Sequence, residues 1–166
     1  MIILNQYKTM KNFNLKSPIH LLACGFGSGL LKPAPGTWGS LAGVLIAILL
    51  WNLTESFLFF IGLTLVSFIA GCHICEQTSR DLNVHDDGRI VWDEIVAIFL
   101  MFAFLPEYNS LAYILTFICF RFFDVLKPYP IRYFDEKLET GLGIMFDDIL
   151  AAIYALTALH LIYCFI

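Results

Sequence analysis

Long apolar runs alternate with short polar stretches along the whole of this chain. Runs without a charged residue cover residues 33–54, 56–75, about 96–105, 108–120 and 149–166. A helix needs roughly 20 apolar residues to cross a bilayer, and several of these runs approach that length. The pattern predicts an all-α fold: a polytopic helical membrane protein with about four to five membrane-embedded helices and polar loops on the cytoplasmic face. Residues 93–105 and 108–123 make adequate spans only if they take in Asp93 and Glu94 at one end and Arg121 and Asp124 at the other. Charges are costly at mid-bilayer, so these four are expected near the cytoplasmic boundary. A re-entrant hairpin over this stretch is the alternative. Residues 19–31, interrupted by Gly25, Gly27 and Gly29, are too short to span and predict a half-buried or interfacial helix. After them, Lys32-Pro-Ala-Pro-Gly-Thr-Trp-Gly-Ser40 predicts a turn, with Thr37 or Ser40 capping the helix that follows.

Charge orients this arrangement. If the loops alternate sides, all ten Lys and Arg fall on one side, together with every acid except Glu55 and Glu107. Basic residues near helix ends stay in the cytoplasm, so that side is expected to be cytoplasmic, with the N-terminus on it. Trp38, Trp51 and Trp92 stand at predicted span ends, where interfacial anchors belong. No small-residue cleavage pattern follows the first apolar stretch, so the N-terminus is expected to be retained. Residues 1–18 then form a cytoplasmic segment, and residues 19–166 a single integral-membrane domain.

Composition agrees. The chain has 166 residues, 59% hydrophobic and 16% aromatic, and its mean hydropathy is +0.77. A soluble domain this apolar would expose large patches, whereas lipid hides them. The net charge of -4 and the absence of a basic stripe exclude nucleic acid as an expected partner. Five cysteines, all in apolar context, read as small buried hydrophobes; Cys72-His-Ile-Cys75 has no second pair to complete a zinc site.

Three charged clusters recur at one predicted depth: residues 86–94, residues 121–127, and Asp147 with Asp148. Carboxylates gathered without matching charge repel one another, and a cation among them relieves the repulsion. Oxygen ligands of this kind suit Mg²⁺, which takes one or two carboxylates, waters and substrate phosphate. Arg121 and Asp124 share a helix face at i, i+3, where a guanidinium beside an acid suits a phosphate clamp. Each cluster also has a plainer account. Asp147 with Asp148, and Asp93 with Glu94, could simply complement helix N-termini, and Arg121 could snorkel to the interface. Residues 83–94 imitate an EF-hand loop but place Asn83 and His85 where acids belong. The turn Pro35-Gly-Thr-Trp-Gly-Ser40 is either a backbone phosphate cradle, with Thr37 and Ser40 as substrate contacts, or a tight entry into the membrane.

These motifs, in order and at these spacings, resemble the bacterial phosphatidylglycerophosphatase A family. The resemblance runs through Gly25-Phe-Gly-Ser-Gly29, Pro35-Gly-Thr-Trp-Gly-Ser40, His85-Asp-Asp-Gly-Arg-Ile-Val-Trp-Asp-Glu94, Phe120-Arg-Phe-Phe-Asp-Val-Leu-Lys-Pro128 and Gly141-Leu-Gly-Ile-Met-Phe-Asp-Asp148. It implies an inner-membrane, Mg²⁺-dependent phosphatase that converts the phospholipid phosphatidylglycerol phosphate to phosphatidylglycerol and inorganic phosphate. The family's acidic pattern falls on Asp86, Asp93, Glu94, Asp124, Asp147 and Asp148, and its basic pattern on Arg121 and Lys127. The expected metal set is Asp86, Asp93, Glu94, Asp147 and Asp148. The expected catalytic set is Asp93, Glu94, Asp124, Arg121 and Lys127, with Arg121 and Lys127 on the phosphate. Residue types alone do not separate a carboxylate nucleophile from a metal-activated water.

Two other classes use similar residues. A phosphatidyltransferase acting on CDP-linked lipids would also gather carboxylates at the cytoplasmic face, but the elements such enzymes carry after Asp87-Gly-Arg89 do not follow here. A cation-coupled transporter would place its acids at mid-span rather than at span ends.

Overall fold

The computed structural model describes residues 13–138 and 140–165. Residues 1–12, most of the predicted N-terminal segment, lie outside the described residues. Among those described there is no strand. The helices are α1 (Pro18–Ala23), α2 (Pro35–Thr54), α3 (Phe57–Leu82), α4 (Trp92–Ala103), α5 (Ser110–Leu126), α6 (Ile131–Lys137) and α7 (Gly141–Phe165), with a 3-10 segment, Gly25–Leu30, after α1.

Local chemistry sets most of the boundaries. Pro35 opens α2, where its missing N–H and fixed φ cost nothing. Thr37 and Ser40 therefore lie inside the helix, Ala34 holds the cap position, and the expected side-chain cap is absent. Ser56 caps α3 by accepting from the Phe59 N–H at 3.2 Å, and Asn109 caps α5 by accepting from Ala112 at 2.8 Å. Helix α3 runs seven residues beyond Cys75 and stops at Asn83, whose φ of 55° is the left-handed turn Asn tolerates. Glu76, on that extension, accepts from the Gly141 N–H at 2.5 Å and so caps α7 from a neighbouring helix.

Three helices, α2, α3 and α7, are long and apolar enough to cross a membrane. Helix α4 has 12 residues and rises only about 18 Å. It can be short because it sits inside the bundle: α2, α3 and α7 pack around it, and nearly all its residues are buried. An element shielded by protein need not match the lipid thickness. Helix α5 packs mainly on α7 and α2, and its 17 residues give about 25 Å. The predicted third and fourth spans are thus a buried helix and a shorter flanking helix, joined by residues 104–109.

The apolar core runs from Phe60, Phe99 and Phe102 through Ile95 and Ile98 to Met145, Ala152 and Leu159. At one end of the bundle Trp51 stacks on Tyr108, with ring planes 4° apart. Trp92 departs from expectation. It is buried rather than interfacial, and its indole N–H donates to the Ser67 carbonyl at 3.2 Å. Residues 19–31 form a folded-over cover: the Val91 N–H donates to the Ala23 carbonyl at 2.8 Å, and Gly25 and Gly29 pack against Val91.

Candidate active site

At the end of the bundle opposite Tyr108, the starts of α2, α4 and α7 meet the C-terminal part of α5. Asp93 and Glu94 occupy the first turn of α4, next to its free N–H groups. Asp147 and Asp148 lie one to two turns inside α7, whose first turn has no acid. Glu76 and Thr140 already serve that helix start, so dipole complementation does not account for Asp147 and Asp148.

Asp93, Glu94 and Asp148 each offer a carboxylate oxygen, and these atoms all lie within 4.8 Å of one another. All three residues are buried, with exposures of 8%, 8% and 4%. Among the described residues, Glu94 Oε2 and Asp148 Oδ2 are buried without a hydrogen-bond partner. Asp148 also lies near enough to Asp124 for each carboxylate to feel the other's charge. Carboxylates packed so closely, with oxygens left over, could serve as donors to a hard divalent cation, whose charge would hold them ionised. The residues present therefore fit Mg²⁺.

Arg121 supplies the opposing charge. Its Nη1 bonds Asp124 on the same helix face, lies 3.7 Å from Glu94 Oε1, and donates to Ser40 Oγ at 3.4 Å. Ser40 in turn donates to the Gly36 carbonyl at 2.8 Å, tying the guanidinium to the first turn of α2. The approach of α2 is close enough that any side chain at position 36 would displace the acid–arginine pair. A Cβ there would collide with Glu94 Oε1 and lie 3.1 Å from Arg121 Nη1. The Pro35-Gly-Thr-Trp-Gly-Ser40 motif thus presses backbone against the acid–arginine pair at Gly36, and Thr37 within the motif is partly exposed.

Lys127 forms a second group. It terminates α5 in a left-handed conformation, φ 41°, and its Nζ lies 2.7 Å from both Asp135 Oδ1 and Asp147 Oδ2. Burial alone would lower the Lys127 pKa. The charges of Asp147 and Asp135 outweigh burial and raise it, so the ammonium stays charged. Asp86 sits on the rim, exposed and left-handed at φ 48°, near enough to Lys127 and Asp135 to feel both charges.

The sequence-predicted residues thus divide in two. Asp93, Glu94, Asp148, Asp124, Arg121 and Ser40 form one contiguous centre. Asp147 and Lys127 form an adjoining ion pair with Asp135, and Asp86 borders both groups, near enough for its charge to act on Asp93 and Asp147. Asp87 and Arg89 pair with each other at 2.6 Å, and Arg89 covers the Phe13 ring, away from the centre. Sequence reasoning missed Asp135, Gly36 and Glu76. Asp135 gave no signal because two prolines separate it from Lys127 and destroy any helical register. Gly36 was visible only as one member of a glycine-rich turn.

The chain is similar over most of its length to known proteins. The sequence profile of the family described as Phosphatidylglycerophosphatase A matches residues 21–163. A phosphatidylglycerophosphatase A from Haemophilus influenzae is 55% identical over 146 residues, covering 88% of this chain and 89% of that protein. Another from Escherichia coli is 40% identical over 168 residues, covering 98% and 94%. A putative phosphatidylinositol-3-phosphatase from Bacteroides thetaiotaomicron is 33% identical over 140 residues, covering 81% and 87%. No solved structure matches.

Proposed function

This chain belongs to the phosphatidylglycerophosphatase A family, and on that premise we propose that it hydrolyses the terminal phosphate of phosphatidylglycerol phosphate in a Mg²⁺-dependent reaction. The observation that carries the reading is the buried trio Asp93, Glu94 and Asp148 set against Arg121. Asp93, Glu94 and Asp148 would hold the ion. When bound, it supplies Lewis-acid neutralisation of phosphoryl oxygens.

The chain's own residues supply the rest. Arg121 is fixed by Asp124 and Ser40 and has five N–H donors in a planar fork, so donors remain for phosphoryl oxygens. That fixed geometry lets it stabilise charge as it develops, without reorganisation. In the balanced reaction the phosphorus–oxygen bond to the glycerol carbon chain breaks and a bond to a water oxygen forms. A proton leaves the water, and one arrives on the departing glycerol oxygen. Asp124, bonded to Arg121 and near Asp148, would adjoin a phosphate held by Arg121 and could relay that proton. Lys127 offsets the charge of Asp147 behind the site, and its two carboxylates hold it in place.

The same reading places the site end at the cytoplasmic face of the bacterial inner membrane, where the basic residues collect. The test is phosphate release from phosphatidylglycerol phosphate by detergent-purified protein, with Mg²⁺ and with a chelator. Release that depends on Mg²⁺ and is lost in Asp93→Asn, Asp148→Asn and Arg121→Ala supports the proposal. Full activity in all three variants removes it.

A further inference from the structure

Helix α5 carries an apolar groove of about 570 Å³ lined by Phe117, Ile118, Arg121, Phe122, Val125 and Leu126. The lining runs about 14 Å along the helix, nine residue steps of 1.5 Å each. Ile118, Phe122 and Val125 stand 54%, 59% and 73% exposed, on the outward stripe that Leu111 and Ile114 begin. An apolar stripe is expected on any lipid-facing helix. What sets this one apart is its polar member: Arg121 belongs to the groove and also to the acid centre through Asp124, Glu94 and Ser40. Two other apolar grooves follow α7 and are lined by Ile153, Thr157 and Leu161 among others, with no residue of the acid centre.

We propose that this α5 groove seats an acyl chain of the substrate, so that the lipid enters sideways along α5 and lays its terminal phosphate against Arg121. The proposal rests on the lipid-phosphatase reading above and specifies where its substrate lies. Charge and polarity support a single occupant. A lipid phosphate needs a cation for its head within reach of an apolar channel for its tail, and a neutral lipid has no use for the first. Arg121 suits both parts, with an aliphatic stem along the groove and a guanidinium in the polar centre.

The test uses the full-length protein in phosphatidylcholine vesicles. A non-hydrolysable phosphonate analogue of phosphatidylglycerol phosphate carries a diazirine on one acyl chain. Photolysis is expected to label residues 117–126, and excess unlabelled phosphonate should remove that labelling while added phosphatidylcholine does not. Labelling spread evenly over the outer faces of α2 and α3, or unaffected by the competitor, overturns the proposal. In parallel, Ile118→Trp should raise the KM for the long-chain substrate about fivefold with kcat retained, the scale of losing one or two methylene contacts. Ile69→Trp, on the exposed face of α3, should leave KM unchanged; an equal rise in both variants again overturns it. Absence of phosphate release by the unaltered protein would sink the assigned activity instead, and the labelling pattern would still judge the groove.

Discussion

Lys127 Nζ lies 2.7 Å from Asp147 Oδ2, so one of the two adjacent acids of α7 has a cation of its own, while its neighbour Asp148 lies with Asp93 and Glu94. Successive helix residues point about 100° apart, which sends Asp148 toward Asp93 and Glu94 and Asp147 toward the end of α5. The sequence presents them as a single pair, and the fold assigns them to different charge groups.

This division predicts unequal effects. Lys127→Met leaves Asp147, 7% exposed at its side chain, without its cation; the loss of one partner of such a pair costs about 3 kcal/mol. The thermal midpoint in detergent should fall markedly. Asp135→Asn keeps the Lys127–Asp147 bond and, at a half-open position, should cost about 1 kcal/mol or less. The double variant Lys127→Met with Asp147→Leu should recover stability but not activity. If Lys127 served only to bind phosphate, Lys127→Met would retain the wild-type midpoint, and thermal denaturation would show it.

Gly36→Ala separates helix propensity from site geometry. In an exposed helix the change would stabilise by about 1 kcal/mol. Here the new methyl collides with Glu94 Oε1 and crowds Arg121. We expect kcat to fall about 10- to 100-fold, the scale of displacing one charge-stabilising donor, with little loss of thermal stability. A variant with unchanged kcat would show that α2 can retreat without disturbing the arginine. Arg121→Lys should lose a similar factor, since an ammonium cannot bond Asp124, Ser40 and phosphate in one plane.

Much of this could be read from the chain, because membrane insertion writes a strong signal. The charge-free runs gave the helices, and the confinement of charge to one set of loops brought Asp93, Arg121 and Asp148 to one end. What escaped depended on packing. Trp92 looked like an interfacial anchor, yet Gly71 leaves room for its ring against α3, and the indole N–H finds the Ser67 carbonyl. The apolar run that ends at Cys75 implied a helix of that length, whereas α3 continues through Glu76 and Arg80, which pair with each other while Glu76 bonds the start of α7. Thr37 and Ser40 have the chemistry of caps, but Pro35 begins α2 ahead of them.

The α3 extension has a consequence of its own. Glu76 bonds the Gly141 N–H at 2.5 Å and Arg80 at 2.8 Å, so it fixes the start of the helix that carries Asp147 and Asp148. Glu76→Ala should lower stability by about 1 kcal/mol, as loss of a helix cap does, and lower kcat more than it raises KM. Arg80→Ala, which removes a mostly exposed partner, should change both far less. Equal effects from the two would mean that the ion pair, rather than the cap, holds α7 in place.

The orientation of the bundle can be tested without any activity measurement. Gly88 lies in the loop beside the acid centre, and Glu55 and Glu107 lie in the tight connections at the other end. In a background with the five native cysteines replaced, Gly88→Cys should react with a membrane-impermeant maleimide only when the cytoplasmic face is open. Glu55→Cys and Glu107→Cys should react only from the opposite face. The physical ground is the expectation, from the loop pattern, that Lys and Arg gather on the Gly88 side, each of which resists transfer across the bilayer. Gly88 and Glu107 reacting from the same face would make α4 and α5 a pair that does not separate the two compartments. The site would then have to be reached around that hairpin rather than from an open cytoplasmic end.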